Sequence, residues 1–117
     1  MMTKRLLKSG DGTVIAQNAV FAVSPFERMR GMIGRKFASV PFDAMVFERC
    51  SAIHCCWMSE EIDVMFVSDN WEVVKVCSRL KPWRFAAGGR NAAATVELPA
   101  GTLGRCKVVP GDRLVWK

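Results

Sequence analysis

The sequence predicts an α+β domain that is mostly β: a compact, barrel-like antiparallel or mixed sheet, one short helix near residues 25–34 and a short helical turn near 100–105. Two observations carry that expectation. From residue 44 onward, run after run reads as strand: AMVFER (44–49), AIHCCWM (52–58), IDVMFVS (62–68), EVVKVCS (72–78) and AATVEL (93–98). Helical signals are confined to two brief stretches. Many short strands with one or two small helices suit an α+β or barrel-like layer arrangement.

The elements follow in order. Strand candidates at 3–8 and 13–22 flank Gly10-Asp11-Gly12, a turn signal. Ser24-Pro25-Phe26-Glu27 then announces a helix. Ser24 can accept from the Glu27 amide, Glu27 can reach back to the Ser24 amide, and Pro25 at the first helical position gives up no needed donor. Phe26, Met29 and Ile33 recur at helical spacing and are expected to form the buried stripe, with Arg28 and Arg35 off that face. Gly31 weakens a helix interior by about 1 kcal/mol relative to alanine, which points to close packing or an early end, and Gly34 is a natural stop. Ser68-Asp69-Asn70 reads as a tight hairpin and LKPWRFAAGGRN as a looser connection. Near the end, Pro99 to Leu103 allows one helical turn, and Val109-Pro110-Gly111-Asp112 places proline and glycine for a type II turn before the strand RLVW.

Composition narrows the function classes. At 117 residues the chain suits a single domain, 1–117, with half its residues hydrophobic and no sign of disorder. No apolar run approaches the roughly 20 residues of a membrane span. The start, MMTKRLLKSGDGT, is basic and then polar, without a secretory apolar core. Five cysteines is an odd number, and Cys50, Cys55, Cys56 and Cys77 sit in hydrophobic runs typical of buried, reduced thiols. A cytoplasmic location is expected. The net charge of +6 gathers at Lys4-Arg5-Lys8, at Arg28/Arg30/Arg35/Lys36 and at Arg79/Lys81/Arg84/Arg90. Such an excess suits an anionic partner, nucleic acid included. The chain has no tyrosine, though, and lacks the aromatic interleaving of single-strand binders. Nucleic-acid binding is therefore not favoured over a solvated charged surface.

The stretch RCSAIHCCWM (49–58) concentrates the only histidine, three cysteines and a tryptophan. On a strand, His54, Cys56 and Met58 face one way and Ile53, Cys55 and Trp57 the other. Cys50 and His54 would lie about 13 Å apart along an extended chain, whereas zinc gathers its ligands within ~2.0–2.3 Å. There is no paired C-x2-C spacing, and the expectation is no metal and no cofactor. His54 and Cys56 share a face about 6.6 Å apart at the backbone, which permits a Cys–His pair without imposing one. No catalytic residue is assigned.

Two polar constellations remain. Arg28, Arg30, Gly31, Gly34 and Arg35 could form an anion-binding corner, since guanidinium forks and glycine amides suit phosphate or carboxylate; the alternative is that the arginines solvate or cap the helix end. Asp63 alternates with Ile62 and Val64 inside an apolar strand, so it is the acid expected to be partly buried and paired, with an arginine from the helix as partner; a general base is the alternative.

Taken in order, RMRGMIGR (28–35), AMVFER (44–49), IHCCWM (53–58), IDVMFV (62–67), VELPAG (96–101) and VVPGDRLVW (108–116) resemble the Domain of Unknown Function 192 family. That family's pattern runs R-G-L-M-G-R, an apolar strand, H-x-F-W-M, an L-D-apolar-apolar-F strand, E-L-P-A-G and a closing G-D-x-apolar. The resemblance spans about residues 13–117, and its specificity lies in the ordered set rather than in any one motif. It maps onto Arg30, Gly31, Gly34 and Arg35, then His54, Trp57 and Met58, then Asp63 and Phe66, and finally Glu97, Pro99, Gly101, Gly111 and Asp112. It implies a small, mostly β domain with a short helix near the start and no established reaction. The chain departs from the pattern at Ser59-Glu60-Glu61-Ile62, a shorter link than the family's polar, proline-containing one. Family members are often exported; this sequence carries no such signal.

The resulting expectation is a non-enzymatic module that binds a protein partner or a small anionic ligand at a patch of Arg30, His54, Trp57 and Asp63, with Arg35 beside it. The rival from another class is a small enzyme or metal protein using His54, Cys56 and Asp63.

Overall fold

Alternating side chains commit the strands to a sheet with two apolar faces. The computed structural model describes residues 3–54 and 58–117, apart from the side chain of His54. Its strands are β1 (Lys4–Lys8), β2 (Val14–Phe21), β3 (Ala44–Glu48), β4 (Ala52–His54), β5 (Ile62–Val67), β6 (Val73–Leu80), β7 (Phe85–Ala87), β8 (Ala94–Pro99) and β9 (Leu114–Trp116). The helices are α1 (Pro25–Arg30) and α2 (Thr102–Cys106), with a 3-10 turn at Phe37–Ser39. Seven strands form one sheet in the order β6-β5-β8-β3-β2-β1-β9, and β4 pairs with β7 in a separate ribbon. Only β2 and β3 run parallel within the main sheet; its other pairings are antiparallel. The sheet curls until its edges touch: Glu72 bridges Arg113, the Val73 amide donates to the Asp112 carbonyl (2.8 Å), and the Leu114 amide donates to the Trp71 carbonyl (2.9 Å). The mostly-β, barrel-like architecture expected from the sequence is the observed one.

One face gathers Leu6, Ile15, Val46, Met65, Val96 and Leu98 with Leu103 and Cys106 of α2. The other gathers Met45, Phe47, Val64 and Phe66 with Met32, Phe37, Phe42 and Met58. Because β5 and β8 lie between the two clusters, β5 is buried along its whole length and β8 up to Leu98. A polar residue in either strand must then find a partner on whichever face it meets. That requirement makes the acids Asp63 and Glu97 informative.

Helix α1 starts as expected. Ser24 Oγ accepts from the Glu27 amide (3.1 Å) and Glu27 Oε1 accepts from the Ser24 amide (3.3 Å). The expected buried stripe is corrected: Phe26 and Met29 are 63% and 73% exposed. The helix stops at Arg30, where Gly31 caps it at φ 50°, so it is too short to lay a stripe on the sheet. A Cβ on Gly31 would lie 3.2 Å from the Phe47 ring, so both the early end and the close packing are present. Met32, beyond the cap, is the residue that enters the core.

Three further differences stand out. The connection between β6 and β8 contains the short strand β7, paired Ile53↔Ala86 and His54↔Phe85. The run expected as strand 52–58 is observed as strand over Ala52–His54; Cys55, Cys56 and Trp57 lie outside the described residues. Among the described cysteines, Cys50 and Cys77 are half-buried free thiols, and Cys106, which was not among those expected to be buried, is buried. Among the described residues no helix is long and apolar enough to cross a membrane.

Gly88 seats the β4–β7 ribbon on the sheet. Its amide donates to the Ser51 carbonyl (2.8 Å), and a Cβ there would lie 2.5 Å from Phe66 Cγ and 2.6 Å from Ala92 Cβ. Gly88→Ala is expected to cost about 2–3 kcal/mol through overpacking. Gly89→Ala, at φ +89° but with open space, should cost only about 1 kcal/mol of backbone strain. Denaturant unfolding of the two variants distinguishes them, and equal small losses would contradict the close approach.

Candidate functional site

A cavity of about 140 Å³ lies where the end of α1 meets β3, β4 and Met58. Its walls are apolar, from Met32, Ile33, Phe47, Ile53 and Met58, with Cys50 between them. Arg28 and Arg30, in the last turn of α1, also line it. Cations at a helix C-terminus are favoured by the exposed carbonyls there. Neither guanidinium has an ion-pair partner among the described residues. The Cys50 thiol donates to the Ala52 carbonyl (3.1 Å), which holds it against the wall.

Glu97 also lines the cavity and is its unusual residue. It sits on β8 opposite Met45 of β3 and Val64 of β5, so its side chain shares the face of the second core cluster. It is 4% exposed, and its Oε1 has no hydrogen-bond partner among the described residues. Burial alone pushes its pKa from 4.5 up to about 8, and the arginine heads do not offset it. Near pH 7 the carboxyl is therefore mostly protonated, with one O–H to donate and lone pairs to accept. A buried polar group without a partner, facing a preformed cavity, is the usual mark of a ligand or ion position.

A model of the DUF192 family, described as an uncharacterized ACR, matches residues 6–116. The chain belongs to the DUF192 family. A UPF0127 protein of Pyrococcus furiosus is 37% identical over 113 residues, 95% of this chain and 97% of the relative. One from Thermococcus sibiricus is 28% identical over 115 residues, 96% of this chain and 74% of the relative. Two crystal structures share the fold. A Sinorhizobium meliloti protein, provisionally described as a transcription regulator, superposes with a TM-score of 0.80 at 24% identity, covering 97% of this chain and 91% of that one. A Novosphingobium aromaticivorans protein of unknown function gives 0.77 at 18% identity, covering 97% and 84%. At these identities the likeness concerns the fold alone.

Of the candidate residues of this DUF192 member, Arg30, Arg35 and Asp63 lie apart from one another. Arg30 lines the cavity, and His54 closes the strand whose Ala52 and Ile53 line it. The His54 side chain and all of Trp57 lie outside the described residues. Arg35 lies beyond the cavity lining; its amide donates to the Met32 carbonyl (3.0 Å). Asp63 is on the opposite face of the sheet, and backbone amides take the place of the expected helix arginine. Its Oδ1 accepts from the Arg79 amide (2.8 Å), and its Oδ2 accepts from the amides of Gly101 (3.1 Å) and Leu103 (2.8 Å). The carboxylate is thus engaged in holding β6 and α2. The residue that sequence reasoning missed is Glu97, carried only within the family pattern. Its signal was the same as that of Asp63, an acid alternating with apolar residues in AATVEL.

Proposed function

We propose that this DUF192 member is a non-enzymatic binding module for a small anionic ligand, held in the α1–β4 cavity with Arg30 and Arg28 taking the anion. The single observation supporting this is that Glu97 Oε1 has no hydrogen-bond partner among the described residues and faces a preformed cavity that Arg28 and Arg30, without ion-pair partners among those residues, also line. The size suits a metabolite smaller than the ligands of ~300–1,000 Å³ pockets. His54 and Trp57 are the neighbouring residues that we assign to the same patch. The half-buried free thiols Cys50 and Cys77 support a reducing, cytoplasmic setting.

Calorimetric titration of linear carboxylates into the wild-type protein and Arg30→Ala tests the reading. A charge-assisted contact of about 1.5–3 kcal/mol should make the variant bind at least about tenfold more weakly. Identical binding by both proteins would remove Arg30 from the site.

A further inference from the structure

We infer that the ligand is a small zwitterion, with its anionic end at Arg28 and Arg30, a cationic nitrogen at Glu97 and a short apolar linker between them. This rests on the reading of the cavity as an anion site and adds the chemistry of the other end. A simple monoanion satisfies the arginines and leaves Glu97 Oε1 as it is now, buried and without a partner among the described residues. Among the described lining residues, Met32, Phe47, Ile53 and Met58 carry no side-chain donor, the Cys50 thiol is engaged with the Ala52 carbonyl, and neither Arg28 nor Arg30 bonds to Glu97 Oε1. An ammonium group on the ligand supplies up to three donors and the compensating charge that a buried carboxylate requires. The cavity lining thus combines two guanidinium cations, a carboxyl that a bound cation would ionise and apolar walls, which matches an ammonium and a carboxylate joined by methylenes.

Among the described residues, the titratable groups facing the cavity are Arg28 and Arg30 from α1, Cys50 from the β3–β4 link and Glu97 from β8. Of these, Glu97 is the group that a ligand cation would ionise. Its mostly protonated state near pH 7 means that binding should release a proton.

The probes are glycine, β-alanine, 4-aminobutanoate and 5-aminopentanoate, each paired with its amine-free counterpart: acetate, propanoate, butanoate and pentanoate. Calorimetry at pH 7 in buffers of different ionisation enthalpy reads affinity and proton release together. One chain length should bind at least about tenfold more tightly as the amino carboxylate than as the plain anion, with release of about one proton. In Glu97→Gln that preference should fall to within about twofold and the proton release should disappear. Plain anions that bind as well as their amino counterparts in the wild-type protein would overturn the inference while leaving the anion site in place. Failure of both sets, indistinguishable from Arg30→Ala, would remove the site and the inference together.

Discussion

Glu97→Gln should gain resistance to unfolding relative to wild type as the pH rises, the difference between the two shifting in the variant's favour by about 4–5 kcal/mol from pH 4 to pH 8.5. The folded protein holds the Glu97 proton up to about pH 8, whereas the unfolded chain releases it near 4.5. Between those values the native state binds more protons than the unfolded one, so stability falls with rising pH. Below 4.5 both states are protonated and the penalty is absent; above 8 it is fully present. Each pH unit in that window corresponds to about 1.36 kcal/mol, a large share of the ~5–15 kcal/mol that holds a domain of this kind folded. The amide in the variant keeps the shape and cannot ionise, so its own burial cost does not vary with pH. Other titrating groups are common to both proteins and cancel in the comparison. Urea unfolding at pH 4, 6, 7 and 8.5 measures the effect, and parallel stability profiles would show that Glu97 is solvated or paired. Saturation with a ligand of the proposed chemistry should flatten the wild-type profile, because a paired carboxylate no longer resists ionisation.

The two acids show where the sequence is readable and where it stops. Asp63 and Glu97 each break an apolar strand in the same manner, and alternation alone marks both as entering a core. The register places Asp63 opposite Leu98 and Glu97 opposite Val64, which sends the carboxyls to different faces of one sheet. Among the described residues, one face provides amides and the other offers Glu97 Oε1 no donor. Those amides come from residues 16, 38 and 40 positions away, a property of the assembled sheet that no local pattern encodes. Local chemistry was legible where it is self-contained: the Ser24–Glu27 capping box forms both of its bonds, and Ser68-Asp69-Asn70 joins β5 to β6. It misled where length mattered. Phe26 and Met29 have helical spacing, but a helix halted at Gly31 cannot turn them to the core. The strand β7 was hidden because three residues between a proline and a glycine pair give too short a pattern to count. Arg30 was visible from its arginine–glycine surroundings, and its cavity exists because the same glycine lets the chain approach Phe47.

Asp63→Ala should cost about 3–5 kcal/mol of stability and disturb α2 and the end of β6 together. Gly101 precedes helix α2 as its N-cap; its backbone is left-handed at φ 94° and it has no side chain to cap the helix. The first N–H groups of a helix have no internal acceptor, and a carboxylate is the strongest common substitute. Asp63 supplies it from a neighbouring strand, taking the amides of Gly101 and Leu103 on one oxygen. Its other oxygen holds the amide of Arg79, which sits at φ 53° where β6 shifts register against β5. Alanine leaves three part-buried or buried donors without an acceptor, each costing about 1–3 kcal/mol, with partial relief where water enters. Asparagine keeps one carbonyl oxygen and replaces the other with a donor, so Asp63→Asn should lose about half as much. Amide exchange supplies the structural readout: in Asp63→Ala the Leu103 and Arg79 amides should lose protection before those of β3. A loss below about 1 kcal/mol, with Leu103 still protected, would mean that the turn at Pro99–Gly101 holds α2 unaided and that Asp63 is available for other chemistry.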